Sequence, residues 1–231
     1  SALIESRRRF LADASHQLRT PLTALKTQAE LLLRRQREKP AAATDPALES
    51  IARTADHAGR LASQLLSIAR AEYVAQLLKP ERVDLAAVAR DVCLDLGARA
   101  IERDIALQFD ADGAGTHVAG DPGLVSEIVS NLVDNALKYT PAGGTIAVAV
   151  RASEGGGVML EVEDSGPGVP DAELTQLGRR FYTVRNAGAP HGTGLGLAIV
   201  KEIAAAHGAE VTFGKARAGG LRVQVRFSPP G

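Results

Sequence analysis

The sequence predicts an α + α/β chain in two parts: a helical hairpin forming a dimeric four-helix bundle, followed by an α/β sandwich. Three observations predict it. Of the 23 glycines in 231 residues, only Gly59 precedes residue 80, so good helix formers dominate the first third and glycine turns punctuate the rest. Apolar positions in the first third recur at alternating steps of three and four, the seam of paired helices. A composition of 45% hydrophobic and 23% charged residues suits packed domains rather than disorder. The change in texture places a domain boundary near Lys79-Pro80, dividing 1–79 from 80–231.

In order along the chain, Leu11, Ser15, Leu18, Leu22, Leu25, Ala29 and Leu32 make a heptad seam on a helix ending near Glu38. Lys39-Pro40 breaks it, and Asp45-Pro46 supplies an N-cap and a first-turn proline for the next helix. Leu48, Ile51, Ala55, Ala58, Ala62, Leu65 and Ala69 form its seam. Two such helices cannot bury both seams alone, so a second copy is expected to complete the bundle. Beyond residue 80, helices are predicted at 85–103, 122–137 and 195–207. Strands are predicted at 105–110, 145–152, 158–164, 210–213 and 221–228, with 145–152 and 158–164 paired across Ser153–Gly157. Short glycine turns between strands imply a mixed sheet.

Several functions are excluded or disfavoured by composition. No apolar run approaches the ~18 residues of a membrane helix. The single cysteine, Cys93, rules out an internal disulfide and suits a reducing compartment. Net charge is zero, but residues 1–79 carry 13 basic and 8 acidic groups while the remainder carries 14 and 19. No basic stretch is interleaved with aromatics, so direct nucleic-acid binding is not expected. There is no secretory or lipidation signal, and the opening at Ser1 suggests a piece of a longer protein.

Four blocks carry chemistry. Gly192-Thr193-Gly194-Leu195-Gly196 opens a helix whose free N–H groups suit a phosphate, though a purely structural loop remains an alternative. Asp164-Ser-Gly166-Pro-Gly168 follows a strand. The carboxylate there can accept from an exocyclic amine while the glycines admit a flat ring, and a capped turn reads equally well. Asn131, Asn135 and Lys138 share one helical face, with Glu127 one turn earlier; two carboxamides and an ammonium suit a magnesium-bound polyphosphate. A solvated polar face is the plainer reading. In the hairpin, His16 follows seam position Ser15 and should face outward, while Pro21 cannot donate to the carbonyl of Gln17 and should bend the helix beside it. A neutral imidazole at such a bend is a candidate nucleophile toward phosphorus.

Together these blocks resemble the bacterial sensor histidine kinases of two-component systems, across nearly the whole chain and in the family's order. His16 to Pro21 is similar to the phosphoacceptor box, Asn131 to Tyr139 to the N box, and Asp164–Gly168 and Gly192–Gly196 to the two glycine boxes. Some sensors of the tricarboxylate-transport type share His-Gln-Leu-Arg-Thr-Pro with this chain. The resemblance implies a dimerisation and phosphotransfer bundle and an ATP-binding sandwich of the type shared with gyrase and heat-shock chaperone ATPases. It implies that Asp164 binds the adenine amine, with Gly166 and Gly168 beside it. Asn135 would ligate Mg²⁺, Asn131 and Lys138 would face the phosphates, and Tyr139 would pack near the adenine. Gly192, Thr193, Gly194, Leu195 and Gly196 would complete the nucleotide site, with Asp171–His191 as a lid.

By the same resemblance His16 takes the γ-phosphoryl group and passes it to an aspartate of a cognate response regulator receiver domain. Thr20 would orient water for regulator dephosphorylation. The implied assembly is a homodimer, cytoplasmic here and anchored in the bacterial inner membrane through segments upstream. Two positions depart from the family. Gln17 stands where Glu or Asp is common, and an amide orients an imidazole but cannot take its proton. Autophosphorylation should therefore be slow and faster in Gln17→Glu; an unchanged rate refutes a base role at this position. Gly178 and Thr183 replace the common phenylalanine and arginine of the lid. The rival expectations are a degenerate kinase acting as phosphatase or scaffold, and an ATPase machine of the same fold.

Overall fold

The computed structural model describes Leu25, Thr27, Ile51, Thr54, Ala58 and residues 81–113, 115–153, 155–184 and 193–229. The chain divides into two compact units, Ser1–Leu66 and Ser67–Gly231. In the first, the five described residues are helical, as the two seams require. The rest of the predicted hairpin, with His16, Gln17 and Thr20, lies outside the described residues.

In the second unit, a five-stranded sheet of order β2-β4-β5-β7-β6 carries its helices on one face. Its strands are β2 (Ala106–Ala111), β4 (Thr145–Ala152), β5 (Val158–Asp164), β6 (Glu210–Lys215) and β7 (Leu221–Phe227). A separate antiparallel pair joins β1 (Glu81–Asp84) to β3 (His117–Gly120). Helices α1 (Leu85–Glu102), α2 (Pro122–Tyr139) and α4 (Gly196–Ala206) are the long ones, and α3 (Asp171–Leu174) is a single turn. The β2–β4 pair is parallel and the other three pairings of the sheet are antiparallel, so the expected mixed sheet is found.

Alternation puts Ile146, Val148 and Val150 of β4 and Val158, Leu160 and Val162 of β5 on the inner face. They pack beneath Leu124, Ile128, Leu132 and Leu137 of α2 and Ile199 and Ile203 of α4, all nearly fully buried. Cys93 sits in this core, where burial pushes its thiol to about 11, the behaviour of a packing residue.

Side chains fix the helix ends. Asp84 Oδ1 accepts from the N–H groups of Ala86 and Ala87 at 3.1 and 3.3 Å. Asp121 Oδ1 accepts from Leu124 N at 2.9 Å, with Pro122 in the first turn. His207, just past α4, ties that helix to the start of α2: its Nδ1 pairs with the carbonyl of Ile203 and its Nε2 accepts from Asp121 N at 3.1 Å.

The structure corrects the expected elements in small ways. The strands β1 and β3 and the turn α3 were not anticipated, each being only four residues long. The helix expected at 195–207 begins at Gly196, because Leu195 is its N-cap, and ends at Ala206 with His207 as C-cap. The strand expected at 210–213 continues to Lys215 and pairs there with Leu221.

Candidate functional site

Asp164 is the last residue of β5, and the strand's alternation turns it inward, where it is 6% exposed. Its Oδ1 accepts two backbone donors, Gly166 N at 2.8 Å and Leu221 N at 3.2 Å. Its Oδ2 has no hydrogen-bond partner among the described residues. Burial raises the carboxyl's pKa, and the two N–H groups pull it partly back. One oxygen thus caps the turn, and the other has no protein donor among the described residues. A Cβ on Gly166 would lie 2.8 Å from Oδ1 and 2.9 Å from the carbonyl of Tyr139, so this glycine lets the loop close onto the end of α2.

On α2, Asn131, Asn135 and Lys138 do share one half-buried face. Asn131 Nδ2 donates to the carbonyl of Glu127 at 2.9 Å. Its Oδ1 points to the start of α4, 3.4 Å from where a Cβ on Gly196 would stand. Asn131 and the start of α4 are therefore neighbours. Asn135 has no hydrogen-bond partner among the described residues. Lys138 Nζ donates to Tyr139 Oη at 3.3 Å and lies 4.9 Å from that ring's centroid. Burial lowers the pKa of Lys138 and raises that of Tyr139.

The first turn of α4 carries no side-chain cap. Thr193 Oγ1 accepts instead from Leu195 N at 3.3 Å, and Leu195 is fully buried. Gly194, at φ +67°, faces protein backbone: its Cβ would lie 2.5 Å from Phe181 C, and its carbonyl accepts from Phe181 N at 2.9 Å. Phe181 is itself left-handed, at φ +64°. Gly192 lies outside the described residues.

Sequence reasoning missed the groups that frame these motifs. The N–H of Leu221 and the bare Cα of Gly220 close over Asp164; a glycine pair before an alternating strand was their only local signal. Ser165 Oγ accepts from Thr145 N at 2.8 Å, and buried Thr140 donates to the carbonyl of Ala136 at 2.8 Å. The described part of the expected lid is tied down by Tyr182 Oη donating to Glu173 at 2.9 Å and by the Arg180–Glu202 ion pair at 2.8 Å. Thr183 is exposed.

Among the described residues, no group of three His, Cys, Asp or Glu side chains can hold a metal. A magnesium ion carried by a polyphosphate asks less: one or two protein oxygens, with phosphate and water completing the octahedron. The half-buried, unpartnered carboxamide of Asn135, beside Lys138, fits that requirement.

A buried acceptor, an amide-and-ammonium face and an uncapped helix start on one domain have the chemistry that suits a nucleotide. Residues 120–231 match the family of histidine kinase-, DNA gyrase B- and HSP90-like ATPases, and residues 6–73 match the His Kinase A (phospho-acceptor) domain. The chain belongs to the sensor histidine kinases of two-component systems.

It is 38% identical over 225 residues to sensor protein kinase PmrB of Pseudomonas aeruginosa, covering 96% of this chain and 46% of that protein. It is 37% identical over 242 residues to the signal transduction histidine-protein kinase/phosphatase MprB of Mycobacterium sp. (strain KMS), covering 100% and 44%. The chain thus spans about half the length of these relatives. Acinetobacter baumannii histidine kinase AdeS shares the fold, with a TM-score of 0.72 at 22% identity over 94% of this chain and 98% of that one. Histidine kinase ThkA, solved in complex with response regulator protein TrrA, does so at 0.71 and 20% identity over 96% of this chain and 61% of that one.

Proposed function

We propose that this chain is the cytoplasmic core of a membrane-anchored sensor kinase that phosphorylates its own His16 from ATP and passes the group to a response regulator. Residues 1–79 are the dimerising phosphotransfer hairpin and residues 80–231 the ATP-binding domain. The observation that carries this reading is the unclaimed oxygen of buried Asp164, on the same domain as the Asn135–Lys138 face. It is an acceptor suited to the adenine amine, beside groups suited to a triphosphate.

Asp164 holds the base, with Gly166 and Gly168 admitting the ring and Tyr139 packing near it. Lys138, Asn131 and the N–H groups from Gly192 to Gly196 face the phosphates. Asn135 would hold a Mg²⁺ brought by the nucleotide, which would supply charge neutralisation there. An imidazole nitrogen of His16 attacks the γ-phosphorus, the bond to the bridging oxygen breaks, and ADP leaves with the electron pair. The phosphorylated ring then sheds its remaining N–H proton; Gln17 orients the ring but water must take the proton. Water returns a proton to the ring's free nitrogen, a receiver-domain aspartate then attacks the phosphorus, and the P–N bond breaks with its electron pair going to the ring, which leaves as neutral imidazole. Thr20 serves the opposite duty, orienting water on the phosphorylated regulator, as suits a chain similar to the histidine-protein kinase/phosphatase MprB.

The working assembly is a homodimer, and the full-length protein sits in the bacterial inner membrane with this part in the cytoplasm. Among the described residues, no helix is long and apolar enough to cross a membrane. Incubation with γ-labelled ATP tests the reading. Acid-labile, base-stable label that disappears in His16→Ala is expected, whereas release of free phosphate alone would overturn it in favour of an ATPase.

A further inference from the structure

His207 belongs to none of the nucleotide motifs, yet it stands where the two helices of the site can be fixed to each other. Gly208, at φ +62°, turns the chain out of α4 and leaves His207 as the C-cap. Its Nδ1 pairs with the carbonyl of Ile203 at 2.7 Å, and its Nε2 accepts from Asp121 N, at the N-cap of α2, at 3.1 Å. A carbonyl only accepts and an amide N–H only donates, so the ring is neutral with its proton on Nδ1. The contact is so close that a Cβ on Gly120 would collide with the ring. Glycine at 120 is what lets the ring reach Asp121 N.

The two helices run antiparallel. At one end of the pair His207 meets Asp121; at the other, Asn131 Oδ1 lies beside Gly196. Roughly 15 Å of α2 and roughly 17 Å of α4 separate these contacts, so they close opposite ends of one pair of rods. The buried residues of that stretch, Leu124 and Ile128 of α2 and Ile199 and Ile203 of α4, are apolar, and apolar packing is non-directional. The first turn of α4 has no side-chain cap to aim its free N–H groups, so their place follows from where the whole helix lies. We infer that His207 is a positioning residue for triphosphate binding: it pins the far end of α4 to α2, so that the start of α4 stays level with Asn131, Asn135 and Lys138. The inference rests on the proposed binding of the phosphates at the start of α4.

The test is calorimetric titration of ATP and of adenosine into the 231-residue chain, His207→Phe and His207→Gln. Phenylalanine keeps the bulk of the ring without its nitrogens, and glutamine sets a carboxamide oxygen near the position of Nε2. His207→Phe should weaken ATP about fivefold, the scale of one neutral hydrogen bond, and leave adenosine within about twofold. His207→Gln should recover most of that loss. Equal loss for both ligands, no loss for ATP, or a glutamine variant no better than the phenylalanine one would overturn the inference. If His207→Phe does not fold, the wild-type chain still decides by NMR. The ring of His207 should show the Nδ1–H tautomer. By the reciprocity of coupled equilibria, ATP should also slow hydrogen exchange of the Asp121 amide relative to the amides of α1, and adenosine should not. The Nε2–H tautomer, or an Asp121 amide indifferent to ATP, refutes the role of His207. A wild-type chain that binds ATP no tighter than adenosine would mean instead that the phosphate reading itself is wrong.

Discussion

The two ends of the proposed nucleotide site are built in opposite ways. At Asp164 the acceptor is held by backbone: two N–H groups on one oxygen, glycine Cα atoms pressed around it, and only 6% exposure. Along α2 the polar groups are side chains with few ties, Asn135 having no hydrogen-bond partner among the described residues and Lys138 only the Tyr139 hydroxyl and ring. Backbone held by a sheet keeps its direction, which suits reading a rigid base. Long side chains adapt, which suits a polyphosphate whose charge and shape change during transfer. On the proposed binding mode, selectivity belongs to the first end and charge to the second.

The sharpest way to break this contrast is Asp164→Asn. Two backbone donors hold Oδ1, so the amide oxygen stays there and the NH₂ group meets the adenine amine, donor against donor. ATP affinity should fall about a hundredfold by titration calorimetry, while inosine triphosphate is spared. Stability should move the other way. Burial raises this carboxyl's pKa in the folded state, so its favourable contribution exists at low pH and is lost as pH rises through the raised value. The Asn variant should therefore melt no lower than wild type at neutral pH, and its relative advantage should shrink on acidification.

Next in size is Gly194→Ala. If this glycine serves the Phe181 backbone, the nucleotide-free chain should lose about 2 kcal/mol in urea unfolding, from the left-handed conformation and the clash together. Unchanged stability with lost ATP binding would assign it to the phosphates alone. Lys138→Met should weaken ATP about tenfold and flatten the salt dependence of binding, with adenosine unaffected. The smallest effect is expected of Tyr139→Phe, about twofold, because the ring beneath the ammonium remains and only a 3.3 Å hydrogen bond is lost. A tenfold loss there would make the hydroxyl, not the ring, the working part.

Legibility in the sequence follows the range of the forces involved. β4 and β5 were readable to the residue because their alternation runs seven or eight positions and ends at glycine turns. The α2 face was readable because Asn131, Asn135 and Lys138 need only helical geometry to come together. β1, β3 and α3 were not, since four residues hold too little periodicity; β1 has one buried position, Val83. The left-handed Phe181 carries no signal either, being imposed by contact with Gly194.

By itself the sequence determined which residue types occur at which spacing: the seams, the strand that ends in Asp164, the three polar groups along about two turns of α2, the glycines before α4. Those are local facts, fixed by repeats of two and 3.6 residues. Only the tertiary structure decided which oxygen of Asp164 is spoken for. That depends on β7 lying beside β5 in the sheet, and hence on which distant glycine turn arrives over a buried carboxylate that must find donors.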